Sequence, residues 1–188
     1  QGLIKDEKLT DRQQLIQSGY INEFIQNMEL FDRKYDVAEE SIAKWDADGS
    51  LLHYFVIAIP NNQAVDVNRL KFDLANYNLD HYTSRDFDIE LENLNNDTKL
   101  IVVRNLDNKE SGMIYYLSIV RRPDVFRTLG GKEFLSFIVS NNNYRQMMND
   151  RSYADYLSFF VKNYGSYTKG QFTEEELESP EQLMARKA

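Results

Sequence analysis

Residues 54–78 read YFVIAIPNNQAVDVNRLKFDLANYN and predict a strand, a polar loop and a helix in succession. Residues 52–59 are rich in β-branched and aromatic side chains, which favour a strand. Pro60 ends this strand because it lacks the N–H donor of a ladder. Asp66 is predicted to cap a helix over residues 66–77, since its carboxylate can accept from the free N–H groups of the first turn.

The loop between strand and helix has the position of a phosphate-binding loop but not its composition. Residues 60–66 (PNNQAVD) contain no glycine and no lysine. A phosphate cradle needs glycine for close backbone approach. We therefore interpret this stretch as the first corner of a fold.

The following segments alternate in type. Residues 87–91 and 100–104 are predicted strands, and the polar turn 93–98 (NLNNDT) suits a hairpin between them. Asn108 is predicted to cap the next helix, which ends near Pro123. Residues 134–140 predict a fourth strand, and SNNNYRQMMND (140–150) predicts a turn into a helix.

This order predicts an α+β fold of the ferredoxin-like class, a β-α-β-β-α-β antiparallel sheet. A C-terminal helix over residues 152–164 and an N-terminal helical arm are additions to it. We expect three regions: the arm over residues 1–50, the main domain over 51–165, and an acidic flexible tail over 166–188.

Composition excludes several classes of function. The net charge of −8 disfavours binding to nucleic acid or to an anionic membrane surface. The absence of cysteine excludes disulfides, thiolate zinc sites and thiol nucleophiles. No apolar run approaches the roughly 20 residues of a membrane span. The chain begins at Gln1 without methionine, so we expect it to be part of a longer protein.

Acidic residues alternate with apolar residues in the second predicted strand. Asp86, Asp88, Glu90 and Glu92 share one face at strand period. This pattern fits a solvated face of a half-buried strand, and it also fits a stripe that faces a partner. A straight strand does not supply the converging oxygens that calcium needs. We predict Asp86, Asp88, Glu90 and Tyr54 as the residues that bind a partner.

The first strand is apolar on both faces, with Tyr54, Val56 and Ala58 on one of them. An uncovered sheet face or a strand edge could serve for docking. Phe55 and Ile57 lie on the other face. Because the crossover helices would cover only one face of the sheet, we expect the N-terminal arm to pack on the second.

Catalytic residues are not evident. His53 and His81 are the only histidines, too few for a zinc site without further ligands, and we interpret both as ordinary polar residues. Arg104-Asn105 suggests acylphosphatases, which share this fold order, but their arginine lies in the loop after the first strand. That loop has no basic residue here. We predict no catalytic residue, no metal and no cofactor.

Several segments carry a family resemblance: HYFVIAIPN (53–61), VNRLKFDLANYN (67–78), FDIELENLN (87–95), LIVVRNLDNKESGMIYYLSI (100–119), FLSFIVSNNNYRQMM (134–148) and YADYLSFFVKNY (153–164). Over residues 50–165, the chain resembles the C-terminal region of tetratricopeptide-repeat envelope proteins of Bacteroidetes. These include lipoproteins of the type IX secretion and gliding machinery. The predicted fold is also similar to the SPOR peptidoglycan-binding domains.

The resemblance implies a non-enzymatic scaffolding module in the periplasm or cell envelope, with an envelope protein as its partner. Two alternatives stay open: a SPOR-type module that binds peptidoglycan, and a small phosphoryl-transfer enzyme of the acylphosphatase kind.

Overall fold

The computed structural model of the protein describes residues 44–188. The predicted N-terminal arm falls almost entirely on residues 1–43, which lie outside the described residues. The described strands and α-helices are, in order, β1 His53–Pro60, α1 Val67–His81, β2 Ile89–Asn93, β3 Thr98–Leu106, α2 Lys109–Ile119, β4 Leu135–Ser140, α3 Asn141–Asp150, α4 Ala154–Tyr164, α5 Glu174–Glu178 and α6 Pro180–Lys187. Two short 3-10 helices span Arg127–Leu129 and Gly165–Thr168.

The four strands form one sheet in the order β2-β3-β1-β4. Each neighbouring pair is antiparallel. The prediction of an α+β protein with an antiparallel sheet is therefore confirmed. In this order β1 and β3 are central, while β2 and β4 are the edge strands.

The corner between β1 and α1 forms as the sequence predicts. Asp66 is the N-cap of α1, and its Oδ1 atom accepts from the backbone N–H of Arg69 at 3.1 Å. The helix continues to His81, four residues beyond the predicted end at Tyr77. Asn108 caps α2 in the same way, because its side chain accepts from the backbone N–H of Ser111 at 2.8 Å.

Helices cover both faces of the sheet. Phe55 packs against Tyr115 of α2 with ring centroids 5.4 Å apart, whereas the preceding residue, Tyr54, packs against Tyr144 of α3 at 5.3 Å. Because successive side chains of a strand point to opposite faces, α2 and α3 lie on opposite faces. The strand residues between them are fully buried on both sides: Val56, Ile57, Leu100, Ile101, Val102 and Val103.

Among the described residues, α3 packs on the face that carries Tyr54, with Met147 fully buried. The expected packing of the N-terminal arm on a face of the sheet stays a prediction. The arm itself lies outside the described residues. The short turn that separates β4 from α3 explains the placement of α3, because Ser140 caps α3 directly and folds the helix back over the sheet.

The prediction of an acidic flexible tail over residues 166–188 needs correction, because this segment is folded. Thr173 and Glu176 form a capping box that begins α5, and Pro180 begins α6. Both helices pack on α2 and bury Leu177 and Leu183. As a result every residue of α2 from Ser111 to Ile119 is buried, not only one stripe.

The predicted boundary after residue 50 also shifts. Trp45 is buried and packs edge-to-face on Tyr156 with centroids 5.3 Å apart. Asn143 accepts from the backbone N–H of Asp46 and donates to its carbonyl, both at 2.8 Å. The packed domain therefore begins before residue 51.

Candidate interaction site at the outer edge of the sheet

A β-bulge interrupts β3 beside the acidic strand. His53 pairs with Leu106 and Phe55 pairs with Val103, so β3 contains one residue more than β1 in this interval. Asn105 has a φ of 76°, a left-handed conformation that asparagine tolerates better than most residues. Bulges re-aim the side chains beside them. The side chain that this bulge re-aims is that of Arg104.

The guanidinium group of Arg104 lies between two tyrosines and two glutamates. Its central carbon is 4.8 Å from the ring centroid of Tyr54 and 5.3 Å from that of Tyr144. Its Nε atom is 3.3 Å from Glu90, and its Nη2 atom donates to Glu92 at 3.3 Å. The Nε contact is an ion pair without hydrogen-bond geometry. Cation–π contacts and ion pairs together hold this side chain in place.

The electrostatics favour a permanently charged arginine. Burial opposes the charge of Arg104, but the carboxylate of Glu90 and the tyrosines outweigh it, and the pKa of the guanidinium is raised. Burial also raises the pKa of Tyr144 to about 12, so its hydroxyl stays neutral. Because Arg104 is already paired, it is not a free cation of the kind that would stabilise a phosphoryl group.

Three of the four residues predicted to bind a partner converge on this bulge. Tyr54 and Glu90 contact Arg104, and Asp88 accepts from Asn105 Nδ2 at 3.5 Å. Tyr54 is half-buried. Its ring packs against the guanidinium group of Arg104 and is only partly open to solvent. Asp86 is exposed before the start of β2.

Sequence reasoning missed that Arg104 connects these residues. Arg104 lies one strand away from Glu90 and Glu92, and their contact depends on the register between β2 and β3. The one usable signal was a basic residue in a strand beside an alternating acidic strand. That signal does not specify register.

The backbone of β2 is paired on one side. The N–H of Arg104 donates to the carbonyl of Asp88 at 2.9 Å, and the N–H of Leu94 donates to the carbonyl of Thr98 at 3.1 Å. In an antiparallel ladder, hydrogen-bonded pairs recur at every second residue. Residues 90 and 92, which lie between these two bonds, therefore direct their backbone groups towards β3.

The odd-numbered residues Ile89, Leu91 and Asn93 consequently direct their N–H and C=O groups away from β3. Within residues 44–188 no strand pairs with this outer side, because β2 is the last strand of the sheet. The side chain of Leu91 is 48% exposed. We call residues 86–93 the acidic edge; it combines free backbone groups, an exposed leucine and the carboxylates.

The two histidines have different environments. His53 is fully buried in β1: its Nδ1 is 2.7 Å from the carbonyl of Leu51 and its Nε2 is 2.7 Å from the hydroxyl of Tyr164. A carbonyl only accepts, so Nδ1 carries the proton and Nε2 accepts from Tyr164. Burial lowers the pKa of His53 to about 4. His81 stacks beside Tyr77 at the end of α1.

Residues 44–188 contain no group of three or more histidines or carboxylates placed to hold a metal ion. Among the same residues, no helix has both the length and the apolar character that a bilayer crossing requires.

Comparisons of this chain with protein-family models, curated proteins and solved structures found no match.

Proposed function

We propose that this chain is a protein-interaction module that binds a partner strand at the acidic edge. The observation that carries the proposal is the outer side of β2, where Ile89, Leu91 and Asn93 offer backbone donors and acceptors. A strand that adds to such an edge gains main-chain hydrogen bonds, and side-chain contacts give specificity.

The other surfaces of the sheet are less suited to docking. Both faces of the central strands are covered, with α2 on one side and α3 on the other. The opposite edge, β4, packs against α4, and the hydroxyl of Tyr156 donates to the carbonyl of Ile138 at 2.6 Å. This contact satisfies a β4 backbone group that an added strand would compete for. The edge of β2 is the side of the sheet left open among the described residues.

Natural proteins often protect an edge strand with charge, so the carboxylates alone would equally fit a blunted edge. The exposed Leu91 supports the docking interpretation. A blunted edge gains nothing from a leucine that is 48% exposed between two glutamates. A docking edge uses it as an apolar anchor for the added strand.

The element order and the strand order β2-β3-β1-β4 support assignment of this domain to the ferredoxin-like class. The resemblance of residues 50–165 to tetratricopeptide-repeat envelope proteins of Bacteroidetes supports a scaffolding role in the cell envelope. We propose that the module lies at the C-terminus of a larger protein of this kind, one that belongs to the type IX secretion or gliding machinery.

The alternatives receive less support from the described geometry. A SPOR-type module would bind peptidoglycan on an open sheet face, and the central strands β1 and β3 are buried on both faces here. Phosphoryl chemistry would need a free cation, and the guanidinium of Arg104 is engaged by Glu90 and Glu92. We propose neither function.

Site-specific photo-crosslinking tests the proposal. A photo-crosslinking amino acid replaces Asn93 on the acidic edge or, as a matched control, the exposed Asn76 on α1. Each protein is irradiated in envelope extract of a Bacteroidetes bacterium. We expect one protein to crosslink through position 93 and not through position 76. Equal yields at both positions, or crosslinks from position 76 alone, would contradict edge docking.

The crosslinked protein is then purified and its affinity measured with edge variants. Leu91→Pro and Asn93→Pro each remove an outward-facing N–H and leave the ladder to β3 intact. Thermal unfolding identifies the variants that remain folded. We expect each folded variant to bind about tenfold or more weakly. Unchanged affinity in both would show that the partner contacts another surface.

A further inference from the structure

We infer that the partner strand alternates basic with apolar residues and belongs to a different protein, not to a second copy of this chain. This inference rests on the proposed docking at the acidic edge and specifies the chemistry of what binds there. It follows from the different chemistry on the two sides of β2.

The odd-numbered and even-numbered side chains of β2 lie on opposite faces of the sheet. Ile89 and Leu91 lie on the side of Phe55 and α2, as their pairing with Val103 and Ile101 requires. An added strand keeps the same alternation, so every second side chain of that strand meets this apolar side at the distance of a cross-strand pair.

The remaining side chains of the added strand meet carboxylates. Asp88, Glu90 and Glu92 lie on the side of Tyr54 and Arg104. Among the described residues, Arg104 is the cation that pairs with these carboxylates. Its single positive charge is shared between Glu90 and Glu92, and both glutamates stay partly exposed. The side therefore keeps a net negative charge, which lysine or arginine on the partner would offset.

A second copy of the chain is a poor occupant for electrostatic reasons. A symmetric edge-to-edge dimer centred on Leu91 would place Glu90 opposite Glu92 of the other copy, and the reverse. Any other register that keeps leucine on the apolar side also brings carboxylate to carboxylate. Like charges directly opposite each other destabilise a strand pair. The charge pattern thus favours a different, basic partner.

Three synthetic peptides of about seven residues, the length of an ordinary strand, serve as probes. All alternate with valine; the other positions are lysine in the first, serine in the second and glutamate in the third. Binding is followed through the backbone amide signals of β2 in solution NMR. We expect the lysine peptide to bind about tenfold tighter than the serine peptide, and added salt to reduce this difference. We expect no binding by the glutamate peptide.

Charge-reversal variants of the protein provide a second test of the inference. Asp86→Lys with Asp88→Lys alters the edge without removing either glutamate that pairs with Arg104. Glu175→Lys with Glu178→Lys is the matched control, because both residues are exposed on α5. The edge variant should lose its preference for the lysine peptide, and the control variant should keep it.

The outcomes separate the two proposals. Equal binding of the lysine and serine peptides at β2 would overturn the charge inference while leaving edge docking intact. Dimerisation through β2 in sedimentation equilibrium, abolished by Leu91→Pro, would overturn the choice of a different partner. If none of the peptides perturbs the β2 amides, and the crosslinked protein binds edge variants normally, both the inference and the proposed function fail.

Discussion

The hydroxyl of Tyr164 donates a hydrogen bond to Nε2 of His53 across 2.7 Å, joining the last residue of α4 to the first residue of β1. The same imidazole donates from Nδ1 to the carbonyl of Leu51. Both ring nitrogens are therefore satisfied while the ring is neutral. Protonation would place a second donor against Tyr164 and a charge in a buried site.

Stability should therefore fall in mild acid. Burial lowers the pKa of His53 from 6.5 to about 4, so the unfolded chain binds the extra proton first as the pH falls. The contribution of His53 is complete above pH 6.5 and is lost progressively towards pH 4, amounting to about 3 kcal/mol. Urea unfolding at a series of pH values from 7 to 4.5 measures this loss of stability. These pH values lie above the range in which most carboxylates titrate.

His53→Gln should flatten this pH dependence, because glutamine does not titrate. His81→Gln is the matched control: its pKa is lowered too, chiefly by burial, but His81 is more exposed. The control should keep most of the slope. A wild-type free energy of unfolding that is constant across this pH range would contradict the assignment.

Arg104→Leu should destabilise the protein by about 1–2 kcal/mol, since it removes the cation between two tyrosines and leaves Glu90 and Glu92 adjacent. Arg104→Lys should recover only part, because lysine lacks the planar group that stacks on the rings. Chemical denaturation measures both changes.

Arg69 supplies the control for Arg104. It also contacts an aromatic ring, Phe72, and a carboxylate, Asp73, but its side chain is 54% exposed. Arg69→Leu should change stability by less than about 0.5 kcal/mol. If the two arginine variants lost equal stability, the bulge at Arg104 would not be a special site.

The fully buried Leu183 tests whether the C-terminal helices belong to the core. Leu183→Ala should cost about 2–4 kcal/mol, because it opens a cavity over α2. Leu79→Ala is the control: this leucine is 71% exposed, so its truncation should stay within about 0.5 kcal/mol. Equal, small effects would restore the interpretation of residues 166–188 as a loose tail. Thermal or urea unfolding distinguishes the two cases.

Local patterns explain which elements the sequence could predict. The apolar run of β1, the cap at Asp66 and the polar hairpin turn act within a few residues, and each of them forms. The C-terminal segment differs from its prediction because a local capping box begins a helix there despite the acidic composition. Thr173 and Glu176 stand three residues apart, and Leu177 follows at once, which is the sequence signature of a helix start.

The candidate site depended on information that sequence periodicity does not carry. Alternation correctly places Asp88 and Glu90 on one face, but it cannot say which residue of another strand stands opposite. That depends on the register of β3 and on the extra residue at Asn105. An asparagine in a strand is compatible with a bulge without requiring one, so the position of Arg104 emerges only when three strands are assembled.

Gly112 allows α2 to lie close to the sheet, because it has no Cβ atom. A Cβ atom at this position would lie 2.8 Å from Cγ2 of Ile138, so Gly112→Ala should overpack the core. Alanine gains about 1 kcal/mol of helix propensity over glycine, and overpacking costs about 1–3 kcal/mol, so we expect a net loss. Gly165→Ala is the control, with open space around its Cβ and a φ of −61°, and should be neutral or stabilising. In a double-mutant cycle by urea unfolding, Ile138→Ala should relieve part of the Gly112→Ala penalty. Additive effects would mean that α2 shifts to accept the methyl group and that its distance from β4 is not fixed by Gly112.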